Sequence, residues 1–234
     1  MATFILFDID GTLIDSGGSG MIALNRALED VAGIKEGFQG INCAGKTDLQ
    51  IIRETLTKHG LDFERSLVAE FRMVYLGHLQ QAVARGLGHV KPGVNTLLQK
   101  LGADSQFFLG LLTGNTAEGA RIKLEPFDLN AHFPTGAFGS DEEDRNRLLP
   151  LAVRRLRQST GVSVDFSQCV VVGDTPRDVE CAKAYGACSI AVATGPYGLP
   201  ALLETEANLV LEDLSNTTRV VEWLRREFDA VQGE

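Results

Sequence analysis

Two aspartates, Asp8 and Asp10, end the first apolar stretch of the chain, Phe4-Ile5-Leu6-Phe7. A continuous apolar, β-favouring run reads as a strand buried on both faces, and such a strand should not end in two acids unless something needs them there. Residues two apart on an extended backbone leave the same face, so both carboxylates project together, and Gly11 supplies the dihedrals for a sharp exit. Other polar clusters also follow apolar runs. Thr113-Gly114-Asn115-Thr116 follows the run ending at Leu112, and Gly173-Asp174-Thr175-Pro176-Arg177-Asp178 follows Val170-Val171-Val172. Arg145 and Arg147 stand between them, ahead of a helical stretch. If Asp8, Asp10, Asp174 and Asp178 converge, two like charges at 4 Å repel by about 4 kcal/mol at an effective dielectric of 20. Raised pKa values or a divalent cation relieve that repulsion. Oxygen ligands without His or Cys suit Mg²⁺, which accepts a few carboxylates and keeps waters for a phosphate. The Thr113 hydroxyl, the amides around Gly114 and a guanidinium are what phosphate oxygens bind. The chemistry indicated is phosphoryl transfer.

The elements that must hold these residues alternate. Strands are expected at Phe4–Phe7, Gln106–Leu112, 136–138, Gln168–Val172, Ala187–Val192 and Asn208–Leu211. Between them run helical patterns: one opened by Pro92, one ending near Glu125 before Pro126, one from about Arg147 that holds Pro150 in its first turn, one from Pro176 to Tyr185, and a last one at Thr217–Phe228. Alternating helices and solid apolar strands give a Rossmann-like α/β core, a parallel sheet with helices on both faces. In such sheets ligands bind beyond the carboxyl ends of the strands, where the polar clusters fall. Residues 17–88 break the alternation. The flexible Ser16-Gly17-Gly18-Ser19-Gly20 stretch leads into them, and they carry helical spacing at Met21–Val31, Thr47–Lys58 and Asp62–Arg85, with no convincing strand. The division expected is a core of residues 1–16 and 89–234 with an inserted all-helical domain at 17–88.

At 234 residues, 44% hydrophobic and 23% charged, the chain can bury a full core. A formal net charge of -9 argues against nucleic acid or an anionic membrane as main partner. No stretch has the length to span a bilayer, and Asp8 and Asp10 interrupt any leader-like apolar segment, so a cytoplasmic protein is expected. Cys43, Cys169, Cys181 and Cys188 show no metal-ligand spacing and read as small hydrophobes in a reducing compartment. His59, His78, His89 and His132 are scattered.

The ordered motifs resemble the haloacid dehalogenase-like hydrolase superfamily: FDIDGTL at 7–13, LLTGNT at 111–116, DRNRLLPLA at 144–152 and VVGDTPRDVECAKAYGA at 171–187. They span nearly the whole chain and leave 17–88 where the family's helical cap belongs; the nearest resemblance is to phosphoglycolate phosphatase-like members. The resemblance implies that Asp8 is the nucleophile, forming an aspartyl-phosphate, and a metal ligand. It implies that Asp10 protonates the leaving oxygen, then activates water, and binds the metal through its carbonyl. Thr113 would hold phosphoryl oxygens, with Gly114 and Asn115 nearby; Asp174 would be the main remaining Mg²⁺ ligand, and Asp178 a direct or water-mediated supporter. The chain departs from the family where a Lys-Pro often precedes the third-motif helix. Arg145 is assigned as the phosphate-binding cation, with Arg147 second, and Lys91-Pro92 is out of order.

Each residue also has a plainer reading. Thr175, Pro176 and Asp178 fit N-cap, N1 and N3 of a helix, so Asp178 could cap, bind metal or do both. Asn115 could cap its own helix. In the insert, Ala44-Gly45-Lys46-Thr47-Asp48 is the loop expected to face the site, with Lys46 or Thr47 reading the leaving group or capping a helix. The function expected is a Mg²⁺-dependent phosphatase of a small phosphorylated metabolite, phosphoglycolate-like or a sugar phosphate, in a monomer or small homo-oligomer. The alternatives are a phosphomutase of the β-phosphoglucomutase type, a metal-free dehalogenase, and a non-catalytic regulatory protein on the same fold.

Overall fold

A computed structural model of the chain describes residues 2–229. Its core is a six-stranded sheet in the order β5-β4-β1-β6-β7-β8, every neighbouring pair parallel. The strands are β1 (Thr3–Phe7), β4 (Phe107–Thr113), β5 (Thr135–Phe138), β6 (Cys169–Gly173), β7 (Cys188–Val192) and β8 (Leu209–Leu211). All five residues of β1 are buried. Ile5 and Phe7 enter a core cluster with α4 (Val94–Gly102), α5 (Ala117–Leu124) and α9 (Thr217–Asp229), while Phe4 and Leu6 enter another with α6 (Leu148–Thr160) and α7 (Pro176–Lys183). Successive side chains of a strand point to opposite faces, so a strand covered on both sides must be apolar throughout. The α/β sandwich expected from the apolar runs is the fold observed.

The helices α1 (Ser19–Ala32), α2 (Asp48–Lys58) and α3 (Arg65–Val83) build a third cluster of their own around Leu28, Phe38, Leu56, Phe71 and Tyr75. A two-residue ribbon joins the ends of this segment, with β2 (Ile14–Asp15) antiparallel to β3 (His89–Val90). Neither strand was legible in the sequence, because two residues carry no periodicity. The short helix α8 (Leu199–Leu203) was missed for the same reason. Pro92 lies ahead of α4 and does not open it: Gly93, at φ 81, is the N-cap, and a Cβ there would overlap the backbone of Leu214. Pro150 sits in the first turn of α6, as its lack of an N–H requires. Among the described residues, no helix is long and apolar enough to cross a membrane.

Candidate active site

Parallel pairing brings the strand ends to one edge. Phe7 is level with Leu111 of β4 and Val172 of β6, so Asp8, Thr113 and Asp174 emerge side by side. The Asp8 amide donates to the Val172 carbonyl at 2.9 Å, continuing the ladder one residue beyond β1. Gly11, at φ 81, then turns the chain out of the sheet, and a side chain there would overlap the Asp174 carboxylate. Gly195, in the loop after β7, likewise leaves no room for a Cβ beside Asp174. Sequence reasoning missed it, since a lone glycine between loops carries no signal of close approach. Above this edge lies a cavity of about 530 Å³, lined by Asp8, Asp10, Asp174 and Arg145 from the sheet side and by Lys46, Asp48 and Tyr75 from α1–α3 and their loops.

One side of the cavity floor holds an excess of acid. Carboxylate oxygens of Asp8, Asp174 and Asp178 lie within 4.8 Å of one another, all three residues buried. Arg145, on a 3-10 turn at Arg145–Arg147, pairs with Asp178 and approaches Asp8 at 3.5 Å. Arg147 instead is 67% exposed and pairs with Glu142, so the buried cation is Arg145. Asp178 is also the N3 member of a capping box, accepting from the Thr175 amide at 3.0 Å and the Thr175 hydroxyl at 2.7 Å. Its two oxygens are thereby committed, one to the helix cap and one to Arg145. Among the described residues, Asp174 accepts only from the Thr12 hydroxyl, at 3.0 Å. Burial, with Asp178 and Asp8 nearby, raises its carboxyl to about 8. Burial likewise raises Asp8 to about 6, Arg145 and the Thr113 hydroxyl offsetting only part of it. Carboxylates raised in this way lack positive charge. An oxygen-only donor set short of cation fits a hard divalent ion such as Mg²⁺, with Asp8 and Asp174 the oxygens free to take it.

The other side is balanced. Asp10 accepts from Asn115 Nδ2 at 2.9 Å and from the Lys123 ammonium at 2.6 Å, and Lys123 also donates to Asn115 Oδ1 at 2.7 Å. Burial alone would raise the Asp10 carboxyl; the Lys123 charge, with hydrogen bonds from Lys123, Asn115 and Ser16, outweighs it and holds Asp10 below its ordinary value. Lys123 is 5% exposed on α5, eight residues beyond Asn115, and sequence reasoning did not find it. The available signal was a lysine on the helix face that follows the Thr113 strand end, with no acid at i±4 to hold it at the surface.

The remaining candidates separate. Thr113 is fully buried behind the floor, its hydroxyl hydrogen-bonded to Asp8 and accepting from Asn115 Nδ2 at 2.9 Å. Gly114 lines the cavity where the loop before α2 packs against it, and a Cβ would overlap the Lys46 carbonyl. Lys46 reaches the wall paired with Glu54. Thr47 does not reach it: its oxygen caps α2 by accepting from Gln50 N at 3.2 Å and donates to the Glu143 carbonyl at 2.7 Å. Lys91 also lines the cavity and donates to Asp15 at 3.2 Å.

Comparisons with known proteins point to one family. The phosphoglycolate phosphatase of Vibrio cholerae is 28% identical over 93% of this chain and 96% of its own. That of Rhodospirillum rubrum is 29% identical over 92% and 89% respectively. The crystal structure of CbbY from Rhodobacter sphaeroides in complex with phosphate shares the fold, with a TM-score of 0.73 at 18% identity over 92% of this chain and 96% of that one. A family model described as haloacid dehalogenase-like hydrolase matches residues 3–186, through every strand end described above up to the Asp174–Asp178 loop. The chain belongs to the haloacid dehalogenase-like hydrolases.

Proposed function

We propose that the protein is a Mg²⁺-dependent phosphatase that hydrolyses a small phosphorylated metabolite through a phosphorylated Asp8. The observation that carries this is the meeting of Asp8, Asp174 and Asp178 with Arg145 at the carboxyl edge of the sheet, an acid-rich site short of positive charge. The similarity to phosphoglycolate phosphatases supports the same reaction class.

On this reading Asp8 attacks phosphorus and the ester oxygen leaves; water then attacks the acyl phosphate and releases Asp8 and phosphate. Asp8, Asp174 and the Asp10 carbonyl would hold Mg²⁺, which when bound neutralises charge on the phosphoryl oxygens. Asp178 supports the site by fixing Arg145 and the start of α7. Arg145, Gly114 and Asn115 orient the phosphoryl group, and Thr113 holds the Asp8 carboxylate in place. Asp10 works with Lys123: the pair protonates the leaving oxygen, and Asp10 takes the proton of the attacking water. Helices α1–α3, residues 17–88, form a cap over the floor with Lys46 in its wall, and residues 1–16 and 89–234 form the hydrolase core. The acidic net charge and free thiols fit a cytoplasmic enzyme acting on a small molecule and not on nucleic acid.

The test is a panel of phosphomonoesters assayed with Mg²⁺ and with EDTA, alongside Asp8→Asn. Mg²⁺-dependent phosphate release that Asp8→Asn abolishes is expected. Wild-type rates in Asp8→Asn, or equal rates in EDTA, would overturn the proposal.

A further inference from the structure

The wall above Asp10 holds Asp48, which the phosphoryl chemistry does not use, together with Lys123, which serves that chemistry through Asp10. Lys123 and Asp48 both line the cavity, one from α5 of the sheet layer and the other from the first turn of α2. The Lys123 ammonium has three donors and places two, on Asp10 and Asn115. Asp48 Oδ2 accepts from the Thr116 amide at 2.8 Å, and its Oδ1 has no hydrogen-bond partner among the described residues. Burial raises the Asp48 carboxyl to about 6, the Lys123 charge offsetting only part of it, and among the described residues Lys123 forms its ion pair with Asp10 and none with Asp48. Lys123 and Asp48 thus line one cavity, each with hydrogen-bonding capacity that the described residues do not use, next to the apolar side chains of Met21, Leu24, Ile51 and Tyr75.

A hydroxyl fits between them, because its oxygen accepts from the ammonium while its proton goes to the carboxylate. A carboxylate does not. Every cation lining the cavity is already matched by an acid: Arg145 by Asp178 and Asp8, Lys123 by Asp10, Lys46 by Glu54 and Lys91 by Asp15. A second anionic group on the substrate would meet the Asp48 carboxylate without a free positive charge to receive it. Because Lys123 touches Asp10, the hydroxyl it reads lies close to the ester oxygen.

Building on the phosphatase reading, we propose that Lys123 and Asp48 are specificity residues for the leaving group, bridging a hydroxyl near the ester oxygen, so that the substrates are phosphorylated polyols and not phosphorylated carboxylic acids. A site built to hydrogen-bond a substrate hydroxyl rejects the analogue that lacks it.

The experiment compares kcat/KM in Mg²⁺ for glycerol 3-phosphate, its dideoxy analogue n-propyl phosphate, which lacks both hydroxyls, and 2-phosphoglycolate. Wild-type enzyme is expected to favour glycerol 3-phosphate over each of the others by at least about tenfold. Asp48→Asn keeps an oxygen for the Thr116 amide and should cut the glycerol-to-propyl ratio roughly tenfold, while Asp48→Ala removes most of the preference. Lys123→Met lowers all rates through Asp10, so it is read only by this ratio, which should also fall. A ratio unchanged in the Asp48 variants, or a wild-type preference for phosphoglycolate, would overturn the assignment. p-Nitrophenyl phosphate, which has no such hydroxyl, reports the Asp8 chemistry separately. Turnover of it with a flat ester profile removes this inference alone, and no turnover of any ester removes the phosphatase reading and this inference together.

Discussion

The two halves of the cavity floor solve the problem of buried acid differently. Around Asp8 and Asp174 one guanidinium faces three carboxylates, and it is itself tied to Asp178. Around Asp10 one ammonium is ion-paired with one carboxylate, with Asn115 hydrogen-bonded to both. The consequence is opposite in sign: Asp8 and Asp174 are raised, Asp10 is lowered. Burial pushes all three the same way, so the difference comes from the neighbouring cation. The first half is poised to take a cation from outside; the second carries its own.

The contrast can be broken most severely at Asp8. Asp8→Asn, which keeps the shape and removes the nucleophilic oxygen, is expected to lower kcat on the order of 10³-fold or more with the fold retained, measured by phosphate release and circular dichroism. Arg145→Met strands Asp178 and Asp8 without their cation and should destabilise the protein by about 3–5 kcal/mol in urea unfolding. Lys123→Met strands one carboxylate that keeps its Asn115 bond, and a loss of about 2–3 kcal/mol is expected in the same measurement. Equal losses in the two variants would contradict the unequal charge balance.

The pH dependence sharpens the same point. A carboxyl raised in the folded state keeps its proton there after the unfolded chain has lost it, so the stability these two groups contribute is greatest below pH 3.8 and falls as pH rises to about 8 for Asp174 and about 6 for Asp8. The slope is at most about 1.4 kcal/mol per pH unit for each group. Without divalent cation, the thermal midpoint should therefore fall between pH 6 and 8. Asp174→Asn should flatten that fall, and Mg²⁺ should raise the midpoint in wild type far more than in Asp174→Asn. Asp10 contributes in the opposite direction, its stabilisation being lost only as acid protonates it. The smallest effect belongs to Arg147→Ala, a surface change expected to stay within about 0.5 kcal/mol and to leave kcat/KM unaltered.

Much of the acid-rich half was legible because its residues end strands. Asp8, Thr113 and Asp174 each come after a solid apolar run, and a parallel sheet carries all such ends to one edge. Arg145 was readable from its place before α6, whereas the choice against Arg147 needed the turn that buries one and exposes the other. The ambiguity of Asp178 had a physical basis: as N3 of α7 it holds Thr175, and its other oxygen holds Arg145, so the capping reading describes its bonds directly. Lys123 escaped because it sits in the last turn of α5, where a lysine suits the helix dipole and normally points to solvent. Thr47 was legible only as an alternative, and its hydroxyl turned out to be used by α2 and Glu143.

By itself the sequence determined the alternation of strands and helices, the break in it at residues 17–88, and the order of acids at the strand ends. These are local properties, set by side-chain period and by the polar residues that terminate each apolar run. Tertiary structure alone decided which acids share a cation, which arginine is buried, and that Lys123 from α5 and Asp48 from α2 face one space. Those contacts join residues up to 170 positions apart (Asp8 and Asp178), and charge balance depends on distances that no local pattern encodes.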